Sequence, residues 1–331
     1  MPKVNVLIFI HGIEISDIPS KHTAQYNDLL EALQAKHPII GEKIDKVVYI
    51  EWGHALPLPA QVLFPDEMLT DAENTILNAT SLSAIKSNKT ADDTFLGFTF
   101  NFPQRRLARL VTDQIKEKVF ALGLTDVLYY CSPDGERAVR SHVYTQVLKE
   151  LAEVENEEKV ALHLIAHSHG ATVGFDFLFG LLAPDSQYGG EPPDFAKDED
   201  IPLATREAYL DWRRRAKNGQ LALGSKSSFG CQLALMMMRK QRLVNMLAAR
   251  PVQLLDPTVI GVPKAGPVKW KVFYDTNDVL GYPVRHLFDA VGTIKEFEVD
   301  SDPNPVFAHL NYWTNKQVQE EIASLIAGNL V

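Results

Sequence analysis

The chain has 331 residues and a formal net charge of −9, with 46% hydrophobic and 23% charged residues. It is long enough to bury a large core without staples, and its acidic balance excludes the basic face that a nucleic-acid partner needs. Two cysteines, Cys131 and Cys231, exclude a disulfide framework and read as buried small hydrophobes; no apolar run approaches the ~20 residues of a membrane span, so a cytoplasmic protein without stable membrane insertion is expected.

Val4 to Ile10 (VNVLIFI) is a continuous apolar run, as in a parallel strand buried on both faces. It is too short for a signal peptide, lacks a cleavage site and runs straight into His11-Gly12. Residues 22–36 have Tyr26, Leu29, Leu30 and Leu33 at helical spacing. Val47 to Trp52 reads as a second strand, followed by a proline-rich irregular stretch at 53–66. Helices are expected over 67–86 and 107–122, and DVLYYC at 126–131 fits either strand or helix. Val139, Val143, Val147, Leu148 and Leu151 mark an amphipathic helix that ends in the acidic loop ENEEK.

Val160 to Ala166 is strand-like, and Ser168 follows between His167 and His169. Gly170, Ala171 and Gly174 then open a helical segment reaching about Leu182. Strand, serine on a sharp turn and helix begun by small residues form a nucleophile elbow, with Ala166 in place of the first glycine of Gly-Xaa-Ser-Xaa-Gly. Proline and glycine punctuate 183–219, with a short helix at REAYLDWRRRAKNG whose Arg213, Arg214 and Arg215 read as a solvated face. A strand LALG is expected at 221–224, then a Met- and Leu-rich segment at 228–249 in which MMMRKQR reads as a helix with a buried side. KWKVFY and TIKEFEV are further strands, and the chain is helical from Trp313. Alternating strands and helices predict one α/β domain over 1–331, a mostly parallel sheet covered on both faces. Residues 183–265 are expected to include a lid or cap insertion, with one core strand near 220–225.

A serine hydroxyl needs a base to remove its proton, and the base needs an orienting carboxylate. In the order serine, acid, histidine, the acid candidate is Asp278 in the loop after KWKVFY, with Asp275 as runner-up. The base candidate is His309 in FAHLNYW; His286 reads better as a histidine on a partly buried helix. Two backbone N–H groups are needed for an oxyanion: one from His169, the other from Gly12 or Ile13. His11 and His167 are pocket candidates. His163, His167 and His169 do not read as a metal site, because strand alternation and the sharp turn send them in different directions. Asp176 reads as a buried, hydrogen-bonded structural carboxylate.

The pieces IFIHG, LHLIAHSHGATVGFDFL, LALGSKSSFG, KWKVFYDTNDVLGYPV and AHLNYW span almost the whole chain. In that order they resemble the α/β-hydrolase superfamily, and within it a bacterial branch of serine esterase- and lipase-like proteins. Lys226 stands where that branch tends to carry proline after Gly224-Ser225. The resemblance implies an α/β-hydrolase fold with Ser168 as nucleophile, Asp278 as acid and His309 as base. The resemblance covers fold and reaction class, not substrate; the ordered series IFIHG, AHSHG, NDVLGYP, AHLNYW is read as hydrolysis of a small-molecule acyl ester, with no cofactor or metal called for. A thioesterase, amidase or acyltransferase would use the same residues, and a non-catalytic binding protein is the contrasting reading.

Overall fold

The computed structural model describes residues 3–12, 20–52, 127–188, 193–237, 254–290, 292–303 and 305–331. Its centre is a six-stranded sheet in the order β2-β1-β3-β4-β5-β6. The strands are β1 Lys3–Ile10, β2 Lys46–Ile50, β3 Lys159–His167, β4 Leu221–Phe229, β5 Trp270–Tyr274 and β6 Ile294–Glu298. Every neighbouring pair is parallel.

The helices are α1 Ser20–Lys36, α2 Ile39–Lys43, α3 Pro133–Leu151, α4 His169–Leu182, α5 Asp194–Lys197, α6 Leu203–Lys217, α7 Leu233–Met236, α8 Pro305–Leu310 and α9 Lys316–Ala327. Side chains alternate across a strand, so β1 divides its apolar run between two cores. Val6, Ile8 and Ile10 share one with residues of α3, α4 and α6, including Val143, Leu178 and Trp212. Leu7 and Phe9 share the other with Tyr26, Leu29 and Leu33 of α1 and Ile322 and Ile326 of α9. Burial on both faces is why β1 and β3 read as unbroken hydrophobic runs. Val4 to Ile10 is thus an inner strand of the sheet.

The ambiguous 126–131 segment is helical over residues 127–131, and Cys131 is exposed rather than buried. The strand foreseen at 221–224 continues to Phe229 and lies inside the sheet. Within 183–265, α6 packs against α3, α4 and β4, in the layer that covers the sheet. Arg213 on α6 is correspondingly buried: it donates to Gly180 O at the end of α4 and pairs with Asp185 at 2.7 Å. Free carbonyls at a helix C-terminus attract such a cation, which overrides the solvated-face reading for Arg213, while Arg214 is exposed as that reading expected. His286 is exposed on a single 3-10 turn, Arg285–Leu287, not on a partly buried helix. The helices foreseen at 67–86 and 107–122, and the MMMRKQR segment beyond Met237, lie outside the described residues. Among the described residues no helix is long and apolar enough to cross a membrane.

The chain leaves β1 toward β2 on one side and returns to β3 on the other. Such a reversal of direction opens a crevice at the C-terminal ends of the strands. Gly12 follows β1 and Ser168 follows β3, so both lie at that edge.

Candidate active site

Ser168 sits between β3 and α4 with φ 53° and ψ −130°, the one non-glycine residue with positive φ among those described. A left-handed backbone at a residue bearing a Cβ costs of order 1–3 kcal/mol and persists only where its surroundings fix it. Here Ser168 N–H donates to Phe229 O at the end of β4 (2.9 Å), and Ser168 O accepts from Ala171 N–H (3.0 Å). Space around the turn comes from glycine. A Cβ on Gly12 would stand 2.5 Å from Ser168 Cβ, and one on Gly170 would stand 2.1 Å from His11 O. Only bare backbone therefore lets the loop after β1 cross the serine and the start of α4. Ala166 is fully buried within β3, paired with Ile10 and Ser228, so its methyl does not intrude on the turn.

His309, on α8, places Nε2 2.8 Å from Ser168 Oγ. Its Nδ1 lies 2.9 and 3.0 Å from the two oxygens of Asp278. A carboxylate only accepts, so Nδ1 carries the proton and Nε2 is left as acceptor for the serine O–H. Asp278 also accepts Leu280 N–H at 2.9 Å and Tyr312 O–H at 2.9 Å. Burial alone would raise the Asp278 carboxyl; its hydrogen bond to and electrostatic attraction by the His309 ring, with the two further donors, outweigh burial and hold it below the ordinary value. Burial, and then the Asp278 charge, push the Tyr312 phenol far up, so it stays a donor. Tyr312 O in turn accepts Asp275 N–H at 2.8 Å.

The runner-up Asp275 has other work. It accepts Asn277 N–H at 2.8 Å and Ser301 N–H at 2.6 Å, joining the loop after β5 to the loop after β6.

His167 Nε2–H donates to His309 O at 2.8 Å, and its ring lies 4.9 Å from the His309 ring. Burial first, and then His309, lower its pKa to about 3, so His167 stays neutral beside His309. His169 is buried edge-on against Tyr130 and beside Trp52. Its backbone N–H belongs to the first turn of α4, where helix N–H groups have no intrahelical acceptor. His11 is buried between His22 and Trp52, and its carbonyl accepts Trp52 Nε1–H at 3.1 Å. Ile13 lies outside the described residues. His163 is walled off within the sheet, held by Ser225 Oγ (2.8 Å) and Asn5 Oδ1 (3.2 Å). Its ring occupies the space that a side chain at Gly224 would need, where the β3–β4 register shifts. Among the described residues no group of three His, Cys, Asp or Glu side chains is placed to hold a metal ion.

Four participants were missed in the sequence. Tyr312 follows His309 by three residues, close enough in sequence for a helical turn to carry both to Asp278. Gly230, at φ 56°, lies against His309 and Asp278; a Cβ there would meet His309 Cε1 at 3.0 Å. Gly281 lies against Asp278, where a Cβ would stand 2.4 Å from Oδ2. Gln232 donates from Nε2 to Ser168 Oγ at 3.3 Å. Gly230 and Gln232 directly follow β4, the strand beside the serine's own. That adjacency was legible only once the strand was known to run to Phe229. Asp176, as expected, is hydrogen-bonded, by Tyr130 O–H (2.6 Å) and by Arg140 (2.8 Å). Lys226, where the resemblance expected proline, is fully buried and donates to Ala171 O at 3.3 Å. Burial lowers its pKa to about 8.

A hydroxyl hydrogen-bonded to an imidazole that is oriented by a carboxylate loses its proton readily when it attacks an electrophile. Comparison with protein-family models, curated proteins and solved structures gives no match.

Proposed function

We propose that this chain is a serine hydrolase of the α/β-hydrolase type that cleaves carboxylic esters through an acyl-enzyme. The observation that carries the reading is the unbroken chain Ser168 Oγ, His309 Nε2, His309 Nδ1, Asp278, with a strained Ser168 at its head. Ser168 Oγ bonds to the ester carbonyl carbon while His309 Nε2 takes its proton. The oxyanion is held by His169 N–H and a backbone N–H of the loop at Gly12 and Ile13. The C–O bond to the leaving group then breaks, and His309 returns the proton to the departing alkoxide. Water repeats the sequence: its oxygen bonds to the acyl carbon, its proton passes through His309 to Ser168 Oγ, and the acid leaves. Asp278 fixes the imidazole tautomer and stabilises its cation throughout. The substrate is a small acyl ester, handled in solution without insertion into a membrane. Ser168→Ala is expected to abolish hydrolysis of p-nitrophenyl esters with an unchanged circular dichroism spectrum. Turnover persisting in that variant refutes the assignment.

A further inference from the structure

Gln232 is 1% exposed and lies directly after Gly230 and Cys231, at the site edge of β4. The Ser168 O–H is committed to His309, so Oγ offers Gln232 only lone pairs. The amide nitrogen therefore faces the serine. The other end of the same carboxamide, Oε1, is buried and has no hydrogen-bond partner among the described residues. Carboxamide geometry keeps nitrogen and oxygen about 2.3 Å apart. This acceptor thus lies one short step from the reacting oxygen, in a sheltered place where an unmet acceptor is costly. An apolar side chain such as leucine would fill the space without that cost. A glutamine there is accounted for if a ligand supplies the missing donor.

Resting on the ester-hydrolase reading above, we infer that Gln232 determines specificity. Its Nε2 holds the serine, and its Oε1 accepts an N–H or O–H that the substrate carries close to the scissile carbonyl. The favoured class is then N-acylamino or hydroxyacyl esters rather than plain aliphatic ones. A site built to hydrogen-bond such a group discriminates strongly against the analogue that lacks it, because its own polar atom is left unpaired.

Two isosteric pairs test this on the full-length protein: methyl N-acetylglycinate against methyl levulinate, in which CH2 replaces NH, and methyl lactate against methyl isobutyrate, in which CH3 replaces OH. At least one donor-bearing ester is expected to exceed its isostere tenfold or more in kcat/KM. Gln232→Leu is expected to bring that ratio near one. Gln232→Glu, which keeps an acceptor, is expected to retain a preference at lower kcat. Equal rates within both pairs, or a preference that survives Gln232→Leu, overturns the inference. Labelling of the wild type with a fluorophosphonate separates the two levels: a labelled Ser168 with equal rates removes only this inference, whereas an unlabelled Ser168 removes the hydrolase reading as well. Thermal melts of both variants show that they fold, and Gln232→Met is the replacement if Gln232→Leu does not.

Discussion

Two aspartates three residues apart, Asp275 and Asp278, show how contacts assign work that residue type leaves open. Asp278 faces His309, and Asp275 ties two loops together through Asn277 and Ser301. Asp278→Asn is expected to cut kcat by about 10²–10⁴, since an amide no longer enforces the tautomer. Asp275→Asn is expected to leave kcat within about tenfold and to lower stability by about 1–3 kcal/mol through lost buried hydrogen bonds. Steady-state kinetics and urea denaturation of the two variants check the division; the reverse pattern makes Asp275 the acid. Tyr312→Phe removes one donor to Asp278 and the acceptor for Asp275 N–H at once. It is expected to destabilise by about 1–3 kcal/mol and to lower kcat modestly. Ser168, Asp278 and His309 were readable because each comes after a strand-like run and they follow in the order serine, acid, histidine. Tyr312, Gly230 and Gln232 were not, because nothing local in their sequence reveals a partner tens of residues away; Gly281 was not, because its near neighbour Asp278 meets it only through the fold of the loop.

At the scale of elements, the decisive contact is between the loop after β1 and the start of α4. Gly170 lies so close to His11 O that any Cβ collides with backbone, which cannot rotate aside. Gly170→Ala is expected to cost about 1–3 kcal/mol, as overpacking does, and to reduce activity by separating Gly12 from Ser168. Urea midpoints and ester kinetics together test it; an unaffected variant means that the close approach is not what sets the site. The inner strand β1 was legible from its apolar run, and its burial on both faces followed from the same pattern. The end of β4 was not, since Ser225, Lys226, Ser227 and Ser228 interrupt the apolar signal although all four are buried. Three of these side chains find distant partners: Ser225 with His163 on β3, Ser228 with Trp270 on β5, and Lys226 with Ala171 O on α4. Periodicity carries no trace of such pairings. Arg213 misled for the same reason, because its acceptor is the distant end of α4.

At the scale of the whole molecule, burial holds the imidazoles of His163 and His167 neutral, and that gives a pH signature. Burial lowers His163 to about 4, with a smaller contribution from Lys269, and lowers His167 to about 3. An unfolded histidine titrates near 6.5, so below that pH the unfolded chain binds protons that the folded chain refuses. Stability is therefore fully present above about pH 6.5 and declines as pH falls toward 4 and 3. Each group contributes at most about 1.4 kcal/mol per pH unit in its window. Urea unfolding at pH 7.5, 6 and 5 is expected to show this loss, and His163→Gln is expected to reduce the slope. A flat profile contradicts burial of the two rings as neutral groups. The depressed Asp278 adds a further loss only below its ordinary carboxylate range. The sheet, its helices and the serine relay form one device, in which strand ends bring residues 168, 278 and 309 to a single edge. The most direct measurement of that claim is covalent: treat the protein with a fluorophosphonate, digest it and locate the adduct by mass spectrometry. A single adduct on Ser168, lost in His309→Ala as well as in Ser168→Ala, is the expected result. An adduct on another residue, or undiminished labelling of Ser168 without His309, contradicts it.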